Sequence, residues 1–338
     1  MQPPGRPVIA LDAMGGDRAP QEIVAGALRA VDELDVDILL VGSPEAIDPL
    51  VPPGARGIEV LPTSEVIAMH DEPAAAVRSK RDSSIVRCAE AVRDGRASAM
   101  VGAGNTGATM AAALLRFGRV RGVARPAIAV PIPIPGANRR QLLVDAGATV
   151  DPEPAWLVQW ALLAREYARF RLGVEDPSIG LLSNGEEAGK GDALRKEAFA
   201  LLSEIKGFVG NVEGGDLARP SADVILTDGF TGNVALKTIE GAMLALAGLV
   251  FSVLDEPEWG EMGPRLKVRM LEAAADLLPD NTGGALLLGV KGICIISHGS
   301  SSAAAIVNAV RVARDCVEAG IVERLTASVA ESGMRDAG

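Results

Sequence analysis

The sequence has few residues of several types, and each shortage excludes a class of structure or function. Aromatic residues make up 3% of the 338 residues, so the core must be built from Ala, Val, Ile and Leu. The three cysteines, Cys88, Cys294 and Cys316, are an odd number without paired spacing, which favours buried thiols over a disulfide framework. With 33 Lys and Arg against 44 Asp and Glu, the net charge of −11 disfavours nucleic-acid binding.

Long hydrophobic runs and a leader are also lacking. The strongly apolar uncharged stretch Gly241–Leu254 is shorter than the roughly 20 residues that a membrane span needs. The segment Met1–Pro7 has no apolar stretch of the kind found in signal peptides. These observations predict a soluble, cytoplasmic protein.

Short apolar runs alternate with amphipathic segments along almost the whole chain. Runs such as Val8–Leu11, Ala97–Val101 and Ile293–Ile296 predict buried strands, and Pro154–Arg171 predicts a long helix. This alternation is typical of a mainly parallel sheet with helices on both faces. We therefore predict a three-layer α/β/α sandwich that forms a single catalytic domain over residues 1–338, with room for two lobes.

Two segments depart from this regular pattern. Ala127–Ile134 predicts a strand, but Pro131 and Pro133 provide no N–H groups for a ladder, which predicts a place at the edge of the sheet. Residues 250–282 are predicted to be a variable helical segment that offers a dimer or membrane contact.

Ligands of open parallel sheets bind beyond the carboxyl ends of the strands, and two predicted strand ends are rich in glycine. They are Ile9–Asp17 and Gly102–Ala108. Glycine lets the backbone approach a ligand, and successive N–H groups at a helix start suit a phosphate. The alternative for both is a tight turn with close helix–strand packing and no ligand. The substrate-binding residues predicted here are Asp12, Gly15, Gly16, Asn105, Thr106 and Gly107.

Two further strand ends, Ser183–Gly191 and Thr227–Asn233, carry ionisable residues beside glycines. The helix dipole disfavours a cation at a helix start, so Lys190 is the kind of local conflict expected where function overrides stability. A solvated loop explains the glutamates equally well. The predicted substrate-binding residues are Glu186, Glu187, Asp228, Gly229 and Thr231, and Lys190 and Asn233 are predicted to be catalytic. Lys237, one turn beyond, is interpreted as an ordinary surface lysine.

The last polar strand end, Ser297–Ser302, contains His298, which is a third candidate catalytic residue. The second histidine, His70, is interpreted as a surface loop residue. The sequence has no G-x-S-x-G motif and no His, Cys and carboxylate cluster with metal-ligand spacing. The residues therefore favour group transfer to or from phosphate by positioning and charge stabilisation, with no metal and no cofactor.

Taken in order, these motifs resemble the bacterial phosphate acyltransferase family of phospholipid synthesis. The resemblance covers about nine-tenths of the chain and depends on the joint occurrence of the motifs. They are IALDAMGGD (Ile9–Asp17), DSSIVRCAEAVRDG (Asp82–Gly95), GAGNTGATM (Gly102–Met110), SNGEEAGKG (Ser183–Gly191), DGFTGN (Asp228–Asn233) and GGALLLGVKGICIISHGSSS (Gly283–Ser302).

The resemblance implies a fold similar to that of isopropylmalate dehydrogenase and phosphotransacetylase, with a homodimer formed through helices. It implies transfer of a long-chain fatty acyl group from acyl carrier protein to inorganic phosphate, without metal or nucleotide. The acyl phosphate would supply a membrane-bound glycerol-3-phosphate acyltransferase. Similar proteins touch membrane through a basic stretch, whereas residues 250–262 here are acidic. We therefore expect a cytoplasmic protein that is at most peripheral at the inner face of the membrane.

On this resemblance, we expect phosphate among the N–H groups of residues 105–107 and 229–233, with Lys190 neutralising part of its charge. Asn233 or Lys190 would hold the thioester oxygen, and His298, Glu186 or Glu187 would position the phosphate or manage its proton. The acidic donor would dock on basic stretches at residues 116–125 or 78–87, which are otherwise solvated helix faces. The alternatives are a coenzyme A-dependent phosphotransacetylase, a nicotinamide dehydrogenase and a non-catalytic scaffold.

Overall fold

Residues 5–137, 139–273 and 283–331 are described by a computed structural model, in which one sheet is flanked by helices on both faces. The strands are β1 (Val8–Asp12), β2 (Asp37–Gly42), β3 (Ile58–Pro62), β4 (Ala99–Gly102), β5 (Ala127–Pro133), β6 (Arg140–Val144), β7 (Ile179–Leu182), β8 (Phe208–Val212), β9 (Val224–Leu226), β10 (Ala285–Leu288) and β11 (Ile293–Ile296). The α-helices are α1 (Gln21–Glu33), α2 (Pro44–Ile47), α3 (Pro73–Ser79), α4 (Ser84–Arg93), α5 (Thr106–Arg116), α6 (Pro154–Leu172), α7 (Ala193–Leu202), α8 (Gly229–Leu254), α9 (Met262–Ala273), α10 (Ala303–Glu318) and α11 (Ile321–Glu331). Short 3-10 turns occupy Asp48–Leu50, Gly214–Ala218 and Pro257–Trp259.

The layered architecture follows from alternation along the strands, because successive side chains of a strand point to opposite faces. In β1, Ile9 and Leu11 lie in a core shared with α1, α6 and α10, whereas Ala10 lies in a second core shared with α4 and α5. Aliphatic residues dominate both cores, and α6 adds the fully buried Trp160 and Tyr167. The predicted three-layer α/β/α sandwich is confirmed.

The sheet has eleven strands in the order β3-β2-β1-β4-β11-β10-β5-β6-β9-β7-β8. The first five are mutually parallel, and so are the last four. Between these two flanks, the pairs β11–β10, β10–β5 and β5–β6 are antiparallel. Because three reversals separate them, the flanks run in opposite directions.

The two flanks nevertheless end at the same line across the sheet. One row of paired residues crosses ten strands: Val60, Leu40, Leu11, Val101, Ile295, Leu286, Ala129, Val144, Leu226 and Leu181. The chain runs toward this row in β1, β4 and β11 from one side of the row. In β6, β9 and β7 it runs toward the row from the opposite side. Each of these six strands ends on the row or one residue past it. The loops that follow them therefore leave the sheet along one shared line.

The prediction that the proline-containing strand lies at an edge is wrong. β5 has β10 on one side and β6 on the other. The ladder with β10 involves only Ala127–Ala129, whereas Pro131 and Pro133 pair with β6 alone. The two prolines thus lie in the part of β5 that pairs with only one strand, where their missing N–H groups break no ladder.

Several other boundaries differ from the predictions. The strands β8 and β10 and the helix α11 were not predicted. The helix α9 begins at Met262, inside the segment 250–282 that was predicted to be helical, and the end of that segment lies outside the described residues. Of the variable segment 250–282, the described part contains the end of α8, one 3-10 turn and α9.

The helix α8 leaves the body of the protein and remains exposed along most of its second half. Leu244, Leu246 and Leu249 are each more than three-fifths exposed. By length and composition α8 is apolar enough to cross a membrane, and none of its apolar stretch is buried. The same features belong to a helix that a second protein covers, so they do not by themselves indicate a span.

Candidate active site

Three of the five predicted loops meet at the ends of β1, β4 and β11. The N–H of Asp17 donates to the carbonyl of Gly299 at 2.8 Å. A Cβ on Gly15 would lie 3.0 Å from the nitrogen of Gly104, and Gly16, at φ +119°, fits only because it lacks a side chain. We call the loops 12–17, 102–107 and 297–302 the glycine cluster.

The glycine cluster presents unoccupied backbone donors. Among the described residues, no acceptor is bonded to the N–H groups of Gly16, Gly104, Asn105, Thr106 or Gly107. Thr106 and Gly107 form the first turn of α5, where the helix dipole adds partial positive charge. Consecutive free N–H groups at a helix start are a typical anion site.

Asp12 stabilises the turn that carries Gly15 and Gly16. Its carboxyl group is buried and accepts from the N–H of Met14 at 3.2 Å. Burial raises the pKa of Asp12 above its usual range, although hydrogen bonds from Ser84, Met14 and Gly15 lower it. The predicted role in substrate binding is therefore indirect, because the carboxyl group holds the turn that carries Gly15 and Gly16.

The side chain of Asn105 is not available to a ligand. Its Nδ2 atom donates to the carbonyls of Ala68, Met69 and Asp71, each at 3.2 Å, and its Oδ1 atom accepts from the N–H of Ala108 at 3.0 Å. Asn105 thus caps α5 and fastens the loop before α3. Its contribution to an anion site is the backbone N–H, whereas Thr106 is exposed and keeps its side chain free of the turn.

The loops that follow β7 and β9 form a second group around Arg195, which we call the arginine cluster. Arg195 is almost fully buried, and its guanidinium donates to the carbonyl of Leu182 at 3.0 Å and to Asp228 at 2.6 Å. The same group donates to Thr227 and Thr231. Burial raises the pKa of Asp228, but hydrogen bonds from Thr231 and Arg195 outweigh it and hold the pKa below its usual value.

Three of the first four N–H groups of α8 are bonded within the protein. Gly229 donates to the carbonyl of Thr149 at 2.8 Å, Thr231 donates to Asp228 at 2.8 Å, and Gly232 donates to the carbonyl of Asp228 at 2.9 Å. These bonds argue against phosphate among the N–H groups of residues 229–233, which stays a prediction. Of the two helix starts considered, that of α5 keeps more of its donors open.

Asp145 anchors the loop against which α8 begins. Its carboxylate accepts from the N–H groups of Ile128, Gly147, Ala148 and Thr149 at 2.6–3.1 Å. Burial raises its pKa to about 6, against the lowering effect of these bonds. Asp145 therefore fixes the geometry of the arginine cluster.

Lys190 does not stand at a helix start as the sequence suggested. The helix α7 begins at Ala193 with Asp192 as its cap, so the conflict with the helix dipole is smaller than predicted. The Lys190 side chain is 50% exposed, and its amine lies 3.9 Å from Glu187. Glu186 and Glu187 are exposed on the same loop. These residues lie in the arginine cluster, apart from the free N–H groups of the glycine cluster.

Asn233 is an exposed residue on α8 with a free side-chain amide. Its side chain lies 3.6–3.8 Å from the position of a Cβ on Gly147. Within the described part of the chain, its amide makes no hydrogen bond, so it remains available as a donor. Lys237 follows four residues later, on the same face of the helix.

The helix α8 joins the two groups of loops. The glycine cluster contains His298, whose Nε2 atom lies 3.3 Å from Glu240 and whose Nδ1 atom lies 3.4 Å from the amine of Lys237. The amine of Lys237 in turn lies 2.8 Å from Glu240. Burial raises the pKa of Glu240, but hydrogen bonds from His298 and Lys237 hold it below its usual value.

Comparisons with known proteins identify the family to which this chain belongs. The family described as fatty acid synthesis protein matches residues 8–324. Phosphate acyltransferase from Desulfitobacterium hafniense (strain Y51) is 45% identical over 323 residues, which are 94% of this chain and 96% of that protein. Phosphate acyltransferase from Heliobacterium modesticaldum is 46% identical over 320 residues, which are 93% and 95% of the two chains. The chain belongs to the phosphate acyltransferase family. It is an enzyme of lipid synthesis.

Solved structures with similar folds support the architecture alone. The EutD phosphotransacetylase from Staphylococcus aureus has a TM-score of 0.58 at 14% identity, covering 92% of this chain and 94% of that chain. A branched-chain phosphotransacylase from Enterococcus faecalis V583 has a TM-score of 0.58 at 16% identity, covering 92% and 98%. The predicted similarity of fold to phosphotransacetylase is confirmed.

The two basic stretches of this phosphate acyltransferase are largely paired within the chain. Lys80 bonds to Asp71 at 2.6 Å, Arg116 contacts Glu90 at 3.1 Å, and Arg125 stacks over Trp156. Arg78 and Arg81 are exposed.

Three buried or half-buried residues of the candidate site were not predicted. They are Asp145, Arg195 and Glu240. Arg195 occupies an ordinary helical position in sequence, and Glu240 follows Lys237 at a spacing typical of a surface ion pair. Only Asp145, which directly follows the strand β6, carried a signal that sequence reasoning could have used.

Proposed function

We propose that this phosphate acyltransferase transfers a long-chain fatty acyl group from acyl carrier protein to inorganic phosphate, giving an acyl phosphate. The proposal depends chiefly on the free N–H groups of residues 104–107, which offer an anion site without metal or nucleotide. Relatives of 43–46% identity with the phosphate acyltransferase name support the reaction class.

The chemistry needs one nucleophile and one place for negative charge. A phosphate oxygen attacks the thioester carbonyl carbon, the C–S bond breaks, and the thiolate of the carrier's prosthetic group leaves. Negative charge develops on the carbonyl oxygen during the attack. A single well-placed donor to such an oxygen is typically worth about 3 kcal/mol.

We assign phosphate to the glycine cluster and the carbonyl oxygen to Asn233. Asn233 has a free amide and lies one turn before Lys237 on α8, the helix that contacts the glycine cluster. His298 lies at the rim of the glycine cluster, where its Nε2 atom lies 3.3 Å from Glu240. We place Glu186, Glu187 and Lys190, which lie on the exposed loop after β7, outside the reacting groups.

The acyl carrier protein is acidic, so we propose that it docks beside the exposed Arg78 and Arg81. These arginines follow the loop that Asn105 fastens to the start of α5. Docking there would bring the thioester to the glycine cluster. Raising the salt concentration should weaken carrier binding much more than phosphate binding.

We also propose that the enzyme is a cytoplasmic homodimer in which two copies cover each other's α8. The apolar face with Leu244, Leu246 and Leu249 is exposed, and the adjoining residues 255–261 carry acidic side chains, which disfavours an anionic membrane surface as the cover. The acyl phosphate would pass to a membrane-bound glycerol-3-phosphate acyltransferase, which requires at most peripheral contact with the inner face.

The reaction is tested with purified protein, palmitoyl-acyl carrier protein and phosphate. Acyl phosphate is trapped with hydroxylamine as the hydroxamate. We expect product that requires phosphate and the carrier-bound donor. Equal or faster turnover with acetyl-coenzyme A would indicate a phosphotransacetylase, and no product with any donor would indicate a scaffold.

A further inference from the structure

The polar contact between α8 and the glycine cluster involves a lysine that the reaction as proposed above does not use. Lys237, Glu240 and His298 contact one another in a closed ring, with distances of 2.8, 3.3 and 3.4 Å. The ring lies on the boundary between the two flanks of the sheet. The Lys237 side chain is 50% exposed and the Glu240 side chain is 23% exposed, so the ring is partly open to solvent.

The donors and acceptors of this ring can be assigned from chemistry. A lysine amine only donates, so His298 Nδ1 must accept from Lys237 and its proton must be on Nε2, which donates to Glu240. Both nitrogens of His298 are then occupied. The carboxylate of Glu240 accepts from both partners. Of the three N–H bonds of Lys237, two are used and one remains free.

The Lys237 amine contacts the loop that borders the open backbone donors. His298 directly precedes Gly299, whose carbonyl accepts from Asp17 inside the glycine cluster at 2.8 Å. The helix α8 rises about 1.5 Å per residue, so it carries Lys237 about 12 Å from Gly229 toward this cluster. By contrast, Lys190 lies beyond β7, and neighbouring strands are about 4.8 Å apart, so roughly 24 Å of sheet separates the ends of β7 and β11.

We propose that Lys237 binds the phosphate held by the glycine cluster and that Glu240 and His298 are positioning residues that fix its amine. The proposal assumes the transfer to phosphate described above. It assigns the cation of the phosphate site to Lys237, which the sequence suggested was an ordinary surface residue, in place of Lys190.

The first test compares Lys237→Ala with Lys196→Ala, an exposed lysine on α7 that serves as the charge-matched control. A charge-assisted hydrogen bond is worth about 1.5–3 kcal/mol, so Lys237→Ala should raise KM for phosphate roughly 10- to 100-fold. The KM for palmitoyl-acyl carrier protein should not change. Lys237→Arg, which keeps the charge, should restore part of the loss, and Lys196→Ala should behave as the native enzyme. An unchanged KM for phosphate in Lys237→Ala overturns the proposal.

The second test addresses the positioning role of Glu240. Glu240→Gln keeps the size of the side chain but offers one acceptor group in place of two, so KM for phosphate should rise severalfold. If Glu240 acts through Lys237, the same change made in the Lys237→Ala enzyme should have almost no further effect. An undiminished effect in the double variant would show that Glu240 acts by another route.

Calorimetric titration with inorganic phosphate separates this proposal from the proposed function. If the native protein makes no acyl phosphate, the proposed reaction fails, yet phosphate should still bind and Lys237→Ala should still weaken that binding. If acyl phosphate forms while phosphate binds equally to both proteins, the assignment of Lys237 fails and the reaction stands.

Discussion

Replacing Gly15 by alanine should disrupt phosphate use by forcing the two glycine-rich loops apart. The new Cβ would lie 2.5 Å from Asp12 Oδ2 and 3.0 Å from the nitrogen of Gly104. Ordinary contacts between heavy atoms are about 3.5 Å, so one loop must move by roughly 1 Å. Such overpacking costs about 1–3 kcal/mol of stability, and a displacement of about 1 Å at a reacting group can cost a hundredfold in rate.

We therefore expect Gly15→Ala to lower kcat/KM for phosphate by on the order of a hundredfold and the free energy of unfolding by about 1–3 kcal/mol. Turnover is measured by hydroxamate trapping over a range of phosphate concentrations, and stability by urea denaturation. Gly189→Ala is the control, because no atom lies within 4 Å of its Cβ position. Native kcat/KM in a folded Gly15→Ala protein would refute the close packing of loops 12–17 and 102–107.

Four further predictions follow from the arginine cluster and α8. Arg195→Met should lower the free energy of unfolding by about 3–5 kcal/mol in urea denaturation, because Asp228 keeps a buried charge without its partner; a loss under about 1 kcal/mol would contradict this. The folded pKa of Asp145 is raised to about 6, so its contribution to stability is present at pH 4 and is lost as the pH rises through 6. Over that interval the free energy of unfolding of the native protein, relative to that of Asp145→Asn, should fall by about 1.4 kcal/mol per unit of pKa difference. A difference that does not change with pH would argue against the burial effect. Asn233→Ala should lower kcat by on the order of a hundredfold without changing KM for phosphate, and Asn233 is removed from the mechanism if the variant keeps native kcat. Leu249→Glu should yield monomers in sedimentation experiments whereas exposed Leu201→Glu, on α7, should not, and an unchanged dimer would exclude α8 as the interface.

The layers of the fold could be predicted because they depend on local patterns. Alternating strand and helix segments such as Val8–Asp12 and Gln21–Glu33 record which side chains face the core. The reversal of direction between the flanks could not be predicted, since it depends on pairing of β10 with β5 across more than 150 residues of sequence. The reversal decides how the site is divided, because it brings two sets of strand ends together from opposite sides.

The glycine-rich loops could be predicted as an anion site because their donors belong to the backbone, and the sequence pattern alone specifies a turn followed by a helix start. The side chains were less predictable. Asn105 looked like a ligand donor, yet its amide is used by carbonyls 34–37 residues away. The start of α8 looked equally open, yet its donors are occupied by Thr149 and Asp228. Such competition from within the chain is a tertiary property.

The role proposed for Lys237 could not be predicted from the sequence either. By sequence, Lys237 and Glu240 form an ordinary pair on a helix surface. The third member of the ring, His298, lies 61 residues beyond Lys237 in the sequence. Only the folded protein brings them together.

The position of inorganic phosphate in a crystal of the protein tests the central claim most directly. The account predicts an ion whose oxygens lie within hydrogen-bond distance of the N–H groups of residues 105–107 and of the Lys237 amine. An ion bound at the Ser183–Gly191 loop, with the N–H groups of residues 105–107 facing only water, would contradict the account.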